Sequence, residues 1–370
     1  MTLHIVKRDE TLSSIARLHG TTAAALSVAN QLGDASKLAV GQALLAPPYG
    51  APGRSILVGG CARPGIGDAA LYGALPYLTY LTPFAYRPRP DGGLAEPADG
   101  ALIRLAYASD VAPLLMVSNE KEGGGPDGAL ARALLTEEAA QAALAKNLAA
   151  LLPEKSYMGL MVDFEGLADA DGPAYTAFLT RLKERLAPGG YLLCAALRPG
   201  DERAGAAVDA AAVGAVCDLV VLKAFQQAVA GPQAPAPIGW VKGALERAVG
   251  AVPGRKLLLG LAGHGYNWAL PFDAKRPPRP VPLAEAPRIA CENFADIRYD
   301  EEAQAPYFQY YDSNGTEHVV WFDDPRSILA RLELAETYGL GGVSYWSVDR
   351  LYRPGFLALA GQYHIEKVFD

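Results

Sequence analysis

The sequence predicts an α/β chain: a closed (β/α)8, or TIM, barrel with a small α+β insertion between its seventh and eighth strands, preceded by a small β-α-α-β domain. Three observations predict it. Short apolar runs rich in Val, Leu and Ile, without strict polar alternation, recur along residues 55–370 between helical patterns, as buried parallel strands do. Eight such runs can be read, the number that closes a barrel. No glycine-rich phosphate loop follows the first run, which argues against an open doubly wound sheet.

Residues 1–48 form a self-contained pattern. "LHIV" reads as a strand, and "DETLSSIARLHG" as a helix with Leu12, Ile15, Ala16 and Leu18 at helical spacing, stopped at Gly20. "TTAAALSVANQLGD" reads as a second helix capped by Thr21 or Thr22, and "KLAVGQALLAPP" returns as a strand. Residues 49–54, rich in proline and glycine, read as a linker to the unit 55–370. The eight barrel strands are placed at "SILVGG", "YLTYLTPFAY", "APLLMVSN", "YMGLMVDFE", "YLLCAAL", "DLVVLKAF", "KLLLGLAG" and "GGVSYWSV", with helices such as "ALARALLTEEAAQAALAKNLAALL" and "AYTAFLTRLKERLA" between them. The stretch before the eighth strand is far longer than one helix needs. Its aromatic runs around the hairpin signal Ser313-Asn314-Gly315 predict an inserted subdomain at about 269–325, forming one wall of a cleft.

Of the 370 residues, 51% are hydrophobic, enough for a large core. A net charge of −7 argues against a nucleic-acid partner, which attracts a basic face. Cys61, Cys194, Cys217 and Cys291 lack metal-ligand spacing and sit in apolar surroundings, so all four read as buried thiols. Neither a metal nor a cofactor is expected, since no His, Cys and carboxylate cluster has ligand spacing. No nucleophile elbow supports a Ser-His-Asp hydrolase. Neither a signal peptide nor an apolar run long enough for a membrane span is visible.

The run "YMGLMVDFEGL" carries the chemistry. Asp163 and Glu165 interrupt an otherwise apolar strand, and positions i and i+2 share one face. Burying two carboxylates on one face is costly unless they are used or paired with cations. They fall at the C-terminal end of the fourth strand, where a barrel places its active site. A carboxyl group in such a setting is expected to have a raised pKa and to act as a general acid. Glycoside hydrolysis needs such an acid, but its usual partner lies across the substrate rather than two residues along the same strand. The spacing therefore suits a substrate that supplies its own nucleophile, as the acetamido group of an N-acetylhexosamine does.

Residues 1–48 resemble a LysM module, which binds N-acetylglucosamine chains of peptidoglycan or chitin. The resemblance implies a glycan groove between Asp9, Glu10, Thr11 and Leu12 on one loop and Asn30, Gln31 and Leu32, continuing to Asp34, on the other. "YMGLMVDFEGL" resembles the DxDxE-type signature of glycoside hydrolase family 18. Residues 55–370 are similar to the branch of LysM-bearing N-acetylglucosaminidases that degrade spore-cortex peptidoglycan, through "LTYLTPFAYRPRPDGGL", "GHGYNWALPF", "AQAPYFQYYDSNGTEHVVWFDDPRSI" and "YGLGGVSYW". The resemblance implies that Glu165 is the general acid/base and that Asp163 orients the acetamido group and stabilises the oxazolinium. It further implies Trp346 as the floor under the distorted sugar, Tyr266 and Trp268 on the loop after the seventh strand, and Asn119 from the end of the third. The implied partner is a peptidoglycan or chitin-like polysaccharide, and the implied location is the spore surface or cell wall.

The chain departs from the family pattern at identifiable positions. Met161 stands where another acid or amide is usual, and Lys223, Ala224, Phe225 and Gln226 replace an "M-x-Y-D" pattern. Phe225 lacks the hydroxyl that helps bind the acetamido carbonyl, and Gln226 is a substitute donor from the same strand end. Asn267 replaces an acid in "GYNW", and His318 and Arg326 read as structural. Lys223, if directed inward, pairs with Asp163 or Glu165 and lowers the acid's pKa; if directed outward it means little. A hydrolase is favoured by Glu165, and a non-catalytic glycan-binding or spore-surface protein by Met161, Lys223 and Phe225.

Overall fold

The computed structural model describes residues 1–370 apart from 35–36, 200–207, 226–230 and 370. In the N-terminal unit, Thr2–Ile5 pairs antiparallel with Ala43–Ala46, and the helices Leu12–Leu18 and Ala23–Ala29 lie between them in sequence. Thr11 closes a capping box: its hydroxyl accepts from Ser14 N at 3.1 Å while Ser14 Oγ accepts from Thr11 N at 3.0 Å. Thr22 caps the second helix, accepting from Ala25 N. Val6, Leu12, Ile15, Leu26 and Leu44 form the core of this unit.

Eight parallel strands follow, Ser55–Ala62, Tyr80–Pro83, Ala112–Ser118, Gly159–Asp163, Leu192–Leu197, Leu219–Leu222, Leu257–Ala262 and Gly342–Trp346. The eighth pairs in parallel with the first, from Gly342 opposite Leu57 to Trp346 opposite Cys61, and closes the barrel. Seven fall within the apolar runs read from sequence, and the first runs two residues past "SILVGG", through Cys61 and Ala62. The lack of polar alternation has a direct cause: Met116, Met161, Cys194, Ala196, Val221 and Leu258 fill the interior, while Val117, Leu160, Val162, Leu193, Val220 and Leu259 lie in the layer under the helices. The long helical pattern before the fourth strand is two helices, Gly128–Thr136 and Glu138–Glu154, broken at extended Glu137.

Between the seventh and eighth barrel strands stands a five-stranded antiparallel sheet in the order Arg279–Pro282, His264–Ala269, Glu317–Trp321, Ala305–Tyr311, Arg298–Asp300. Val281, Phe308, Val320 and Phe322 cluster with Ile289 and Ala290 of the helix Ala286–Glu292. Its hairpin turns at Asp312–Thr316, where Asp312 Oδ1 accepts from Asn314 N and Thr316 N and Gly315 takes a φ of +77°. The sheet begins at His264, upstream of the predicted start. "HGYNWA", expected on a loop, is its second strand, with Tyr266 and Trp268 on one face and Asn267 on the other.

The N-terminal unit packs on this insertion, with Ala39 in its hydrophobic cluster and Ile297 N donating to Val40 O at 2.8 Å. The segment read as a linker runs against the barrel, where Gly53 N donates to Gln362 O at 2.8 Å. Cys61, Cys194 and Cys217 are buried thiols; Cys291 is half-buried rather than buried, at the end of the insertion's helix. No helix among the described residues is long and apolar enough to cross a membrane.

Candidate active site

At the C-terminal end of the barrel lies a cleft of about 600 Å3, lined among others by Asn119, Asp163, Glu165 and Trp346. The fourth strand builds its centre. Met161 and Asp163 face inward, Phe164 turns outward to stack on Phe178, and Glu165 follows just past the strand end. Gly166, with a φ of +69°, then turns the chain in the left-handed region that a side chain resists.

Asn119 is expected at the substrate, but it lies buried and holds the main chain of Glu165. Its Oδ1 accepts from Glu165 N at 2.9 Å and its Nδ2 donates to Glu165 O at 2.8 Å and Asp127 O at 3.0 Å. Two hydrogen bonds from a neighbouring strand end thus fix the acid's backbone where the fourth strand stops, even though Asn119 lines the cleft.

Lys223 points inward. It continues the interior row Leu219–Val221, is 1% exposed, and donates to Asp163 Oδ1 and Glu165 Oε1. Arg198, from the end of the fifth strand, approaches the same Glu165 oxygen at 3.0 Å. The Lys223 ammonium also stands 4.9 Å from the centre of the Trp346 ring. Two carboxylates and two cations thus form a formally neutral cluster over the tryptophan.

The pair does not titrate as the sequence suggests. Burial pushes the Asp163 carboxyl up, and the opposing pull of Lys223 leaves it raised. Glu165 is also raised by burial, but Lys223 and Arg198 more than offset this and leave its pKa lowered. The raised acid expected at Glu165 is therefore corrected: two cations, one from each of two other strands, outweigh its desolvation. Only Lys223 was visible in the sequence as a candidate for that role.

The remaining predicted residues lie elsewhere. Phe225 is packed in the hydrophobic core between barrel and helices and not in the cleft. Gln226 lies outside the described residues. Tyr266 and Trp268 are buried on the insertion sheet, Tyr266 beside His264 at 3.1 Å, and neither lines the cleft. His264 itself does line it; burial lowers its pKa to about 4, so it is neutral near pH 7. Asn267, in place of an acid, donates to Tyr310 Oη at 2.8 Å and bonds His318 Nδ1 at 2.9 Å within the insertion. Arg326 pairs with Asp324 at 2.7 Å.

Cleft residues that sequence reasoning missed are Arg63, Phe84, Glu120, His264 and Arg350, and it also missed Arg198, which pairs with Glu165. The Arg63 guanidinium lies over Phe84, and Glu120 Oε2 has no hydrogen-bond partner among the described residues. Asp349 accepts from Arg63 N at 2.8 Å and from Ser347 Oγ at 2.6 Å, tying the first strand end to the eighth.

In the N-terminal unit, Asp9, Thr11 and Gln31 are exposed and Glu10 and Leu32 half-buried. Leu12 belongs to the core, and buried Asn30 staples the second loop, bonding Leu26 O and both the N–H and C=O of Leu45. Asn30, Gln31 and Leu32 line a separate cavity of about 550 Å3 against the insertion, while residues 9–12 do not.

With a carboxylate pair at the end of the fourth strand of a closed barrel, comparison with known families is decisive: residues 122–350 match the family described as "Glycosyl hydrolases family 18". The chain belongs to glycosyl hydrolase family 18. It is thus a glycoside hydrolase, and its residues 4–47 match the LysM domain. Among family 18 relatives, the cortical fragment-lytic enzyme of Bacillus subtilis (strain 168) is 33% identical over 99% of both chains. That of Bacillus cereus is 34% identical over 79% of this chain and 70% of its own. The crystal structure of the Bacillus cereus spore cortex-lytic enzyme SleL superposes with a TM-score of 0.91 at 28% identity, covering 99% of each chain. The fold is shared more distantly with a chitinase from Chromobacterium violaceum, with a TM-score of 0.75 at 24% identity over 83% of this chain and 98% of the other.

Proposed function

We propose that this chain is a retaining N-acetylglucosaminidase acting on spore-cortex-type peptidoglycan or a chitin-like glycan, with the substrate's acetamido group as nucleophile. The observation that carries this is the placement of Asp163 and Glu165 together at one strand end above Trp346, in the barrel's cleft. The names of the cortex-lytic relatives point to the same substrate class.

Asp163 accepts the acetamido N–H and aims its carbonyl oxygen at the anomeric carbon. As that oxygen forms its bond to C1, the glycosidic C–O bond breaks and the Glu165 proton passes to the leaving oxygen. The oxazolinium is stabilised by ionised Asp163. Water, giving a proton to Glu165, then attacks C1 and reopens the ring, so that two inversions retain configuration. Trp346 offers a flat apolar floor to the pyranose. Asn119 acts as a positioning residue, through the backbone of Glu165. The LysM loops, with Asp9, Thr11 and Gln31 exposed, anchor the enzyme on the polymer and raise its local concentration.

A non-catalytic glycan-binding role is the second reading, favoured by the ion pairs that Lys223 and Arg198 make with Glu165. Turnover of chitin oligomers and of their de-N-acetylated counterparts separates the two, with proton NMR reading the anomer first formed. We expect cleavage of the N-acetylated series alone, with the β-anomer appearing first. Cleavage of the free-amine oligomers at the same rate, or an α-anomer first, excludes acetamido participation.

A further inference from the structure

We propose that Lys223 is a positioning residue that clamps Glu165 at the end of the fourth strand and so confines turnover to the acid side of neutrality. The inference rests on the hydrolase reading of the same site and adds a control on it that the chemistry of hydrolysis does not require.

The geometry carries it. Lys223 is anchored by its own backbone, with N donating to Leu197 O at 2.8 Å, and its stem fills the barrel interior above Val221. A fully buried ammonium has few positions open to it, and here both carboxylates hold it. Its ammonium also lies 4.9 Å from the centre of the ring of Trp346, which lines the cleft. With so few positions open to it, Lys223 keeps its hold on Glu165 whether or not a sugar lies on that ring.

The charged and titratable neighbours bear on the sign. From the fourth strand come Asp163 and Glu165, from the fifth Arg198, and from the first Cys61, whose thiol burial keeps neutral. Tyr175, buried behind the fourth strand, is likewise neutral, as is His264 near pH 7. Arg63, Glu120, Asp349 and Arg350 line the outer cleft. Lys223 and Arg198 are thus the cations bonded to the acid among the described residues. Hydrolysis needs Glu165 protonated, and a cation beside a carboxylate favours its ionised form. Removing the cation must extend activity to higher pH. The kcat/KM profile reports groups of the free enzyme and the kcat profile those of the complex. The clamp therefore predicts that the basic limbs of both profiles move upward once Lys223 is neutralised.

The test is the pH profile of kcat/KM on chitin oligomers for the wild type, Lys223→Met and Lys223→Gln. The expected result is a basic limb displaced upward by about 1–3 pH units in the neutral variants. Arg198→Gln keeps the buried cluster otherwise intact and moves the limb in the same direction even if the Lys223 variants do not fold. A second readout avoids turnover: the 13C-carboxyl NMR titration of Glu165, assigned with E165Q, moves up in K223M or R198Q. A limb and a carboxyl titration that stay put, or a uniform loss at every pH, overturn the proposal. A wild type inactive on every glycan, with the Glu165 titration still displaced in the variants, leaves the clamp standing and removes the hydrolase reading.

Discussion

Replacing Glu165 with Gln lowers kcat about 10³-fold on natural oligosaccharides, the middle of the range for loss of a positioned general acid. KM changes little, because Gln keeps the shape of the side chain and Asn119 still holds the backbone through its two hydrogen bonds. The loss depends on the leaving group. A nitrophenol departs without protonation, so the nitrophenyl glycoside loses far less in its first step, and its remaining deficit lies in the water-attack step that needs Glu165 as a base. The basic limb of the pH profile also disappears, since its titrating group is gone. Steady-state and burst kinetics on both substrate types check this. An equal loss on both would mean that Glu165 is not the acid.

Asp163→Asn has an effect of similar size by a different route. The neutral amide cannot stabilise the positive charge of the oxazolinium, and removing an electrostatic group of this kind costs about 10²–10³ in kcat. Here the nitrophenyl glycoside loses as much as the natural one, because acetamido attack is impaired whatever the leaving group. This contrast separates the two carboxylates. The variant is also less stable. Lys223 keeps Glu165 but loses its buried partner, and breaking such a pair costs about 3 kcal/mol. Thermal unfolding of the two proteins measures the difference.

Much of the fold was legible because its signals are local. Val- and Leu-rich runs bounded by glycine and proline mark the eight strands, and two carboxylates inside one such run mark the site. Trp346 was legible through the motif around it and does line the cleft. What escaped was what barrel closure brings together. Asn119 meets the backbone of Glu165 across 46 positions, a contact with no local signature, so its reading as a substrate ligand missed its hold on the acid. Arg198 converges on Glu165 from the next strand, and the two cations reverse the direction of titration that an apolar strand implies. The inward direction of Lys223 had to await the end of the sixth strand. Tyr266 and Trp268 looked like loop aromatics although "HGYNWA" alternates at strand period, because the strand it pairs with, Glu317–Trp321, lies far along the chain.

The departures from the family pattern acquire physical content in the same way. Met161 fills the barrel interior beneath Asp163, and Phe225 completes the layer under the helices, so both are packing residues here. Lys223 is the departure that reaches the chemistry, because its ammonium bonds both carboxylates.

The central claim is that Asp163 and Glu165 cleave N-acetylglucosaminyl linkages in this cleft. It is tested most directly by digesting cortex-type peptidoglycan fragments and chitin oligomers with wild type and E165Q, reducing the new ends, and identifying them by mass spectrometry. N-acetylglucosaminitol ends are expected from the wild type and almost none from E165Q. Retention of the glycans by both proteins without any new reducing end would contradict it and leave a glycan-binding protein built on a hydrolase barrel.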